Sequence, residues 1–478
     1  MTHSSLLIDG VHVGTRDDAS IEKVTVRAPF DGRVVGTSAV AGPLEIERAL
    51  EAAHRAFQNW RRSARRTRRD LLRGVASAVR AKSDLLAGLL SDEIGKPTTW
   101  SRGEVARLAV TFDLAADLTS SYGGEWMPVD FDDRGDGYRC LAERFPIGPV
   151  LAIVPYNWPY NLAAHKVAPA LAVGCTVILK ASHQAPLSTL TLAHLIDEAG
   201  CPAGVLNGLF CRPREAEAMA ADNRIAMVSF TGSPPVGRRL KALVPQKRVS
   251  LELGGNATAI VCADADLDYV VARCVAGGFG YAGQVCIAVQ HVTVHGSLYS
   301  KVRRSLIDAT KACPCGDPRE PQTVCGPLIT AEAADKVMEW IDEAIAAGAV
   351  LLAGGTRTGN VVAPTLLEGV PQTTRLGCEE VFGPVLTLER FEALDDAIGA
   401  VNASKYGLQC GVFTSDARIA EKAFREIETG SVIVGDYPTL RFDNMPYGGV
   451  KLSGFGREGV RYAMDEMTEL KTLLVRTA

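Results

Sequence analysis

The sequence predicts an α/β protein in which parallel sheets are covered by helices on both faces. From Pro149 onwards short apolar runs alternate with helical segments, and a second series of the same kind extends from Ala257 to about Leu440. Parallel strands need crossover connections, so this alternation favours two parallel sheets. A chain of 478 residues is also long enough for more than one domain.

The region before this alternation is predicted to be helical. Residues Ile46 to Lys82 are interpreted as one long, Arg-rich amphipathic helix. Its charge runs are expected to face solvent and not to form a binding patch. These runs include Arg61, Arg62, Arg65 and Arg66.

The first alternating series assigns a strand or a helix to each segment in turn. In chain order we predict strand PVLAIVP, helix NLAAHKVAPALAVG, strand CTVILK, helix LSTLTLAHLIDEAG, strand VLNGLF, helix PREAEAMAADN, strand IAMVSFTG, helix PPVGRRLKALV and strand RVSLELGG. The turn-rich segment Ser120–Arg144 and the C-terminal run ELKTLLVR fit neither sheet. They are predicted to be exposed strands that pair with a partner subunit.

Composition and charge exclude several classes of function. The chain is 47% hydrophobic and 22% charged, which indicates a soluble globular protein. Its net charge of −4 offers no basic field for nucleic acid. No window holds 18 uninterrupted apolar residues, and the richest stretch, Asn161 to Lys180, is predicted as a buried helix plus strand, so no membrane span is expected. The N-terminus MTHSSLLIDG lacks the features of a signal peptide, and a cytoplasmic protein is expected.

The 12 cysteines are scattered, and most are predicted to be reduced core thiols. Only Cys313 and Cys315 lie close together, and no second Cys/His pair follows at a zinc-like spacing. No metal site is predicted.

Two segments match the glycine fingerprint for dinucleotides, Gly278–Gly283 and Gly454–Gly459. The first follows a helical pattern, and neither has the strand, turn and helix that would aim a helix N-terminus at a pyrophosphate. Both are rejected as cofactor motifs.

Four other segments combine reactive side chains with tight glycine turns. They are Pro155–Pro159 (PYNWP), Leu251–Asn256 (LELGGN), Gly283–Cys286 (GQVC) and Glu379–Pro384 (EEVFGP). Each is a weak signal alone, but in this order and spacing they resemble the aldehyde dehydrogenase superfamily. The resemblance covers essentially the whole chain and includes Phe230–Ser233 (FTGS) and Pro446–Lys451 (PYGGVK).

The resemblance implies two doubly wound, Rossmann-type parallel-sheet domains and a small β oligomerisation element. Residues 1–119 and 145–253 would form the NAD(P)-binding domain, and residues 254–451 the catalytic domain. Segments 120–144 and 462–478 would supply the oligomerisation strands of a homodimer or homotetramer. The family binds its cofactor without the glycine fingerprint, which agrees with the two rejected matches.

The resemblance also assigns the catalytic residues. Cys286 matches the nucleophile, which forms a thiohemiacetal and then a thioester with an aldehyde. Asn157 and the backbone N–H of Cys286 match the oxyanion donors. Glu252 matches the base that activates water for hydrolysis, and Lys166 matches a proton relay or a residue that tunes Glu252, with a structural lysine as the alternative.

The cofactor is expected to be NAD or NADP. NAD-preferring relatives usually carry Lys-Pro-Ser-Glu after the second strand, where this chain has Lys180-Ala-Ser-His183. His183 would not repel a 2′-phosphate, and Arg212 could bind it, so NADP is expected to be accepted or preferred; the alternative is that both are surface residues. The cofactor-binding residues implied are Val154, Pro155, Tyr156, Lys180, Ser182, His183, Arg212, Thr231, Gly232, Ser233, Val236, Leu253, Gly254, Glu380 and Phe382.

The substrate pocket implied by the resemblance is partly basic. Arg107, His165 and Arg441 stand at its lining, and buried cations need anionic partners. We therefore expect a small aldehyde that is hydroxylated or carries a carboxylate, phosphonate or phosphate, as in relatives acting on lactaldehyde or succinate semialdehyde. The apolar wall would be Trp158, Leu162, Ile287 and Tyr447.

Three alternatives stay open at this point. Arg107 and Arg441 could pair within the protein, for example with Asp443, and the substrate would then be apolar or aromatic. An acylating relative would transfer the acyl group to coenzyme A or phosphate, but such relatives generally lack the base at Glu252. A non-catalytic structural protein is the third alternative, which the presence of Cys286, Glu252 and Asn157 disfavours.

Overall fold

The structure is a computed structural model, and it describes residues 2–477. Met1 and Ala478, the outer ends of the predicted ranges 1–119 and 462–478, lie outside the described residues. Within residues 2–477, no helix combines the length and the apolar character needed to cross a membrane.

The helices cover most of the N-terminal region and alternate with strands thereafter. They are α1 (Pro43–Trp60), α2 (Arg65–Ala81), α3 (Ser83–Ile94), α4 (Thr98–Ser121), α5 (Pro159–Val173), α6 (Pro186–Glu198), α7 (Pro213–Ala221), α8 (Pro234–Leu243), α9 (Leu267–Phe279), α10 (Gly296–Ala312), α11 (Ala331–Ala346), α12 (Arg375–Cys378), α13 (Leu394–Ala403), α14 (Ala417–Glu426) and α15 (Val460–Glu466).

The strands are short, as expected for sheets covered on both faces. They are β1 (Thr2–Ser4), β2 (Leu6–Ile8), β3 (Val11–Val13), β4 (Lys23–Arg27), β5 (Val34–Ala39), β6 (Glu125–Met127), β7 (Tyr138–Pro146), β8 (Val150–Ile153), β9 (Val177–Lys180), β10 (Leu206–Leu209), β11 (Met227–Thr231), β12 (Arg248–Glu252), β13 (Ala257–Val261), β14 (Val289–His295), β15 (Val350–Ala353), β16 (Arg357–Thr358), β17 (Val361–Val362), β18 (Thr365–Glu368), β19 (Val385–Phe391), β20 (Gln409–Phe413), β21 (Ser431–Val434), β22 (Gly454–Phe455) and β23 (Thr468–Arg476).

The first large sheet has the order β22-β12-β11-β8-β9-β10-β2-β3. Its five central strands, β12 to β10 in this order, are parallel, and β22, β2 and β3 add antiparallel edges. Strands β8, β9 and β10 are buried at every residue, which explains why they are continuous apolar runs in the sequence. Each strand and helix predicted in this series is present.

The second large sheet has the order β15-β18-β19-β14-β13-β20-β21. All its pairs are parallel except β15 with β18. It forms the second βα series predicted from Ala257 to about Leu440. The two-sheet α/β architecture is therefore confirmed.

A separate three-stranded sheet pairs β23 with β7 and β7 with β6. The strands predicted in Ser120–Arg144 and ELKTLLVR are thus real, and β7 continues two residues further, to Pro146. Leu470, Leu473 and Leu474 of β23 are exposed, as is Trp126 of β6. The C-terminal range 462–478 begins inside α15 and not at a strand.

The prediction of one helix from Ile46 to Lys82 is wrong. Helix α1 ends at Trp60 and α2 begins at Arg65, with Ser63 Oγ donating to the Trp60 carbonyl at 2.6 Å in the turn between them. Helix α1 covers strands of the first sheet, whereas α2 packs along α4 and α5. One straight helix could not cover both. Arg61, Arg62, Arg65 and Arg66 are exposed, as predicted.

Candidate active site

The loop that carries Cys286 has an unusual backbone between α9 and β14. Tyr281 and Ala282 have φ of 52° and 54°, and Gly283 follows with φ of 66°. A Cβ atom at Gly283 would also collide with the Gly383 carbonyl, so only glycine fits there. The segment Gly278–Gly283, which was rejected above as a dinucleotide fingerprint, is therefore a packing motif of the nucleophile loop.

Cys286 is half-buried, and its Sγ lies 3.1 Å from the Tyr447 hydroxyl. Burial raises the pKa of the Cys286 thiol to about 12, against a lowering contribution from the Tyr447 hydrogen bond. The thiol is therefore protonated at neutral pH in this arrangement. It must lose that proton before it attacks a carbonyl.

Asn157 is held between β8 and α5 from both sides. Its side-chain Nδ2 donates to the Gln284 carbonyl at 2.8 Å, two residues before Cys286. Its own carbonyl accepts from Lys96 Nζ at 2.8 Å, and Lys96 forms a fully buried ion pair with Glu104. These contacts fix the Asn157 amide beside the nucleophile loop, as an oxyanion donor requires.

Cys286 and Asn157 line one cavity of about 140 Å³. This is below the roughly 300–1,000 Å³ of pockets for drug-sized ligands, so it suits a small molecule. The lining consists of Trp100, Arg107, Asn157, Trp158, Asn161, Leu162, Val285, Cys286, Ile287, Thr439, Leu440, Arg441 and Tyr447. A larger cavity of about 570 Å³, beside His291 and α13, contains none of the predicted catalytic residues.

Glu252 ends β12 and is 2% exposed. Neither carboxyl oxygen has a hydrogen-bond partner within residues 2–477. Burial and the nearby Glu458 carboxylate raise the pKa of Glu252 well above its usual value. Gly448 leaves room for this side chain, because a Cβ there would come within 2.9 Å of Glu252 Oε1.

Glu458 was missed by sequence reasoning, because it lies inside the rejected segment Gly454–Gly459. Its Oε1 accepts from Lys166 Nζ at 2.6 Å, and its Oε2 contacts Arg441 at 3.3 Å. These cations keep the pKa of Glu458 low despite burial, which favours its ionised form, whereas the raised pKa of Glu252 favours its protonated form. Lys166 also donates to Ser229 at 3.1 Å, and it makes no hydrogen bond to Glu252.

Asp443 binds two of the three basic residues that were predicted at the substrate pocket, Arg107 and His165. Arg107 donates to both of its oxygens, at 2.6 and 3.1 Å, and His165 Nε2 lies 2.9 Å from Oδ1. His165 is fully buried and absent from the cavity lining, which contradicts its expected place there. Burial and the Arg441 cation lower the pKa of His165 to about 4, so it carries no charge at neutral pH.

The residues predicted to hold the cofactor fit a nucleotide. Lys180, at the carboxyl end of β9, is 8% exposed, and its amine has no hydrogen-bond or ion-pair partner in the described chain. Burial lowers the pKa of Lys180, and ribose hydroxyls would relieve that cost. The Thr231 hydroxyl is buried and likewise unpartnered within residues 2–477. Ser233 precedes α8, which begins with two prolines that have no N–H, so the Ser233 hydroxyl and the Val236 N–H are the donors there that suit a phosphate.

Glu380 and Phe382, also predicted to hold the cofactor, contact Gly255 and Tyr156. Glu380 Oε1 accepts from the Gly255 N–H at 3.0 Å, and any side chain at Gly254 would collide with this carboxyl group. Burial raises the pKa of Glu380 to about 7. Phe382, with φ of 52°, packs edge-on against Tyr156.

The two residues expected near a 2′-phosphate are both on the surface. His183 packs on the Phe210 ring, with centroids 5.6 Å apart. Arg212 is bound by the Glu22 carboxylate at 2.7 and 2.9 Å, a partner 190 residues away in sequence. The Arg212 cation is therefore already neutralised.

Comparison with known proteins agrees with this site. The family model described as "Aldehyde dehydrogenase family" matches residues 15–473. The chain is 37% identical over 467 residues to 3-sulfolactaldehyde dehydrogenase of Priestia aryabhattai, covering 98% of each chain.

Two solved structures share the whole fold. Aldehyde dehydrogenase 21 of Physcomitrella patens, in complex with the product succinate, has a TM-score of 0.97 and 38% identity, covering 100% of this chain and 99% of that one. NADP-dependent glyceraldehyde-3-phosphate dehydrogenase of Bacillus halodurans, complexed with NADP, has a TM-score of 0.96 and 32% identity, covering 100% of both chains. The chain belongs to the aldehyde dehydrogenase family and is an NAD(P)-dependent oxidoreductase that acts on aldehydes.

Proposed function

We propose that the protein oxidises a small aldehyde carrying an anionic group to the free carboxylic acid, through a thioester on Cys286. In the first step the Cys286 thiol gives its proton to water, and its sulfur bonds to the carbonyl carbon while the C=O π electrons move to the oxygen, giving a thiohemiacetal oxyanion. The Asn157 amide and the Cys286 backbone N–H donate to that oxygen. NAD or NADP, when bound, accepts the hydride that leaves the adduct.

The thioester is then hydrolysed by water. Glu252 takes a proton from the water, whose oxygen attacks the acyl carbon, and the Cys286 sulfur leaves with a proton. Burial and the Glu458 carboxylate raise the pKa of Glu252, and the Arg441 and Lys166 cations oppose that rise. The presence of this base supports release of a free acid over transfer to coenzyme A or phosphate.

The observation that carries the substrate class is the charge balance around the cavity. Of three nearby cations, Arg107 and Arg441 line the cavity, and Lys166 pairs with Glu458, which also contacts Arg441. Two ionised carboxylates, Asp443 and Glu458, face them. Two negative charges against three positive ones leave one cation uncompensated.

Two further carboxyl groups act on Cys286, those of Glu252 and Glu380, and burial raises the pKa of both, which disfavours their negative charge. His165 is neutral. Arg441 is 5% exposed, makes one ion pair, at 3.3 Å with Glu458, and stacks on the Tyr447 ring at 3.7 Å, and its Nε has no hydrogen-bond partner within residues 2–477. A carboxylate, sulfonate or phosphate on the substrate would balance it. The three relatives compared above are named for sulfolactaldehyde, glyceraldehyde 3-phosphate or a complex with succinate, all of which are anionic.

Arg441→Met tests this proposal. We expect kcat/KM for succinate semialdehyde and for 3-sulfolactaldehyde to fall about 10- to 100-fold, the value of one lost charge-assisted contact. The kcat/KM for propionaldehyde should change little. The measurement is reduced-nicotinamide formation. Arg102→Met removes an exposed arginine outside the cavity and should leave both classes unchanged. Equal losses of kcat/KM for neutral and anionic aldehydes would contradict an anionic substrate. A higher kcat/KM for benzaldehyde than for the anionic aldehydes in the native enzyme would indicate an apolar substrate.

We also propose that NADP is accepted and that Arg212 contributes to its binding. The Glu22 carboxylate competes with a 2′-phosphate for Arg212, so Glu22→Gln should lower the KM for NADP about two- to fivefold, the range of an exposed ion pair. The KM for NAD should not change. Glu217→Gln breaks the comparable surface pair with Arg239 and serves as the matched control. An unchanged KM for NADP would place Arg212 outside the cofactor site.

We propose further that β6, β7 and β23 form the oligomerisation element of a homodimer or homotetramer. The support is the row of exposed leucines on β23, Leu470, Leu473 and Leu474, which a partner subunit would cover. We also propose that residues 1–119 and 145–253 form the NAD(P)-binding domain and that residues 254–451 form the catalytic domain.

A further inference from the structure

We propose that the protein has a second ligand site, a pocket that binds one small oxyanion through Arg65, Arg68 and Arg144. The pocket, of about 40 Å³, lies where α2, α4 and α5 meet the three-stranded sheet. Thr119, Tyr122 and Thr468 contribute hydroxyl groups to its lining. We call it the arginine pocket. It shares no residue with the cavity that contains Cys286.

Arg68 is the residue that requires a ligand. It is 9% exposed, its Nε is buried without a hydrogen-bond partner, and its guanidinium forms no ion pair with any residue in 2–477. Burial and the neighbouring Arg65 cation lower the pKa of Arg68. A buried guanidinium with no anion is costly, and such groups are normally paired.

The surroundings of Arg68 add positive charge. Arg65 lies against Gly123, where an added Cβ would come within 3.2 Å of its Nη2, and it has no ion-pair partner in the described chain. Arg144 is paired with Asp465 at 3.2 Å. Within residues 2–477, Asp465 is the one carboxylate that pairs with any of the three arginines, so two positive charges remain.

The protein offers only partial compensation for this charge. Helix α5 ends beside the pocket, at Val173 and Gly174, and Arg68 Nη1 would lie 2.8 Å from a Cβ at Gly174. A helix C-terminus supplies about half a negative charge, which is less than the excess. A dianionic ligand would balance it.

The size of the pocket limits that ligand. A water molecule needs about 10–15 Å³ by this measure, so 40 Å³ holds about three oxygen-sized atoms. That is the footprint of a phosphate, sulfate or sulfonate group. Guanidinium forks are also the groups that bind such anions. The three hydroxyls of the lining already donate to Asp465 or to backbone carbonyls, so the arginines would supply the donors to the ligand. The site therefore suits inorganic phosphate or a phosphorylated or sulfonated small molecule.

The test is titration of the full-length protein with inorganic phosphate, at constant ionic strength maintained with sodium chloride. Calorimetry should show saturable binding, and the melting temperature should rise by about 2–4 °C at saturation. In Arg68→Met, binding should weaken at least about tenfold. The melting temperature of this variant without phosphate should rise, because an uncompensated buried charge is removed. If Arg68 only stabilises the fold, its replacement should instead lower the melting temperature.

Two further variants complete the test. Arg65→Met, an exposed position, should weaken phosphate binding without loss of folding. Arg62→Met, on the same segment but outside the pocket, should bind as the native protein does. The proposal is wrong if native protein shows no saturable response to phosphate or sulfate, or if Arg68→Met binds phosphate equally well.

Discussion

Replacing Cys286 with Ala is expected to abolish aldehyde oxidation, with a loss in kcat of about 10⁴-fold or more, as for other enzymes that lose their covalent nucleophile. The reason is that no other described side chain in the cavity offers a thiol or an activated hydroxyl beside Asn157. The Tyr447 hydroxyl is the nearest group, at 3.1 Å from the sulfur, and burial raises its pKa well above the usual value. Initial rates of reduced-nicotinamide formation measure the effect.

Cys313→Ala is the matched control for this prediction. Cys313 is also half-buried, and burial raises the pKa of its thiol to about 12, as at Cys286. It lies outside the cavity, so the variant should keep native kcat. Both variants should melt within a few degrees of the native protein. Activity in Cys286→Ala above about one part in a hundred of native would mean that the covalent mechanism is wrong.

The native enzyme should also become faster as pH rises. The thiol of Cys286 titrates far above neutral pH in this structure, and the attacking form is the deprotonated one. The fraction of thiolate therefore increases about tenfold per pH unit through the neutral range.

Local sequence patterns were sufficient for the strands and for the residues that stand in motifs. Strands β8 to β12 are apolar runs because both faces are buried, so they are visible without knowledge of the fold. Cys286 and Glu252 lie in short glycine-rich segments whose backbone geometry demands those glycines. Such constraints act within a few residues, and a single sequence records them.

The charge partners were not visible in this way. Arg107 meets Asp443 across 336 positions, Arg212 meets Glu22 across 190, and Lys166 meets Glu458 across 292. Which carboxylate reaches which cation depends on how the two sheets are placed, and the sequence offered many candidates for each. Asp443 was named as a possible partner of Arg107 and Arg441, and it pairs with Arg107, whereas Arg441 contacts Glu458, which was not named.

The same long-range contacts explain the error at His165. An imidazole on an apolar helix next to a predicted pocket was expected to line that pocket. All of α5 is buried, however, and His165 points to Asp443, behind the lining. The break between α1 and α2 was missed for a related reason, since the two helices are separated by what each one covers and not by a helix-breaking residue.

Replacing Glu252 with Gln is expected to stop turnover after the thioester has formed. The variant keeps the shape of the side chain but has no group that can accept a proton from water, so kcat should fall about 10²–10⁴-fold. Oxidation of the first aldehyde does not need this base. Rapid mixing should therefore show a burst of about one reduced nicotinamide per subunit, followed by a slow steady state.

The pH dependence identifies Glu252 as the base. Its pKa is raised by burial and by Glu458, so in the native enzyme the ionised form, which is the active one, appears only well above the usual range for glutamate. The native kcat should rise with pH through that transition. The rate of thioester hydrolysis in Glu252→Gln should not show this rise with pH. Glu389→Gln is the control, because Glu389 is a partly buried glutamate with a raised pKa that lies beside the other cavity.

The burst also separates hydrolysis from acyl transfer. If Glu252→Gln accumulates an acylated peptide that contains Cys286, detected as a mass increase in the digested protein, the base acts on the thioester, as proposed. If the variant turns over at the native rate once coenzyme A or phosphate is added, but not in water, the group that accepts the acyl chain in the native reaction is coenzyme A or phosphate and not water. If the variant binds substrate with native affinity but shows no burst, Glu252 is needed before hydride transfer. Its role would then be to accept the proton of the Cys286 thiol.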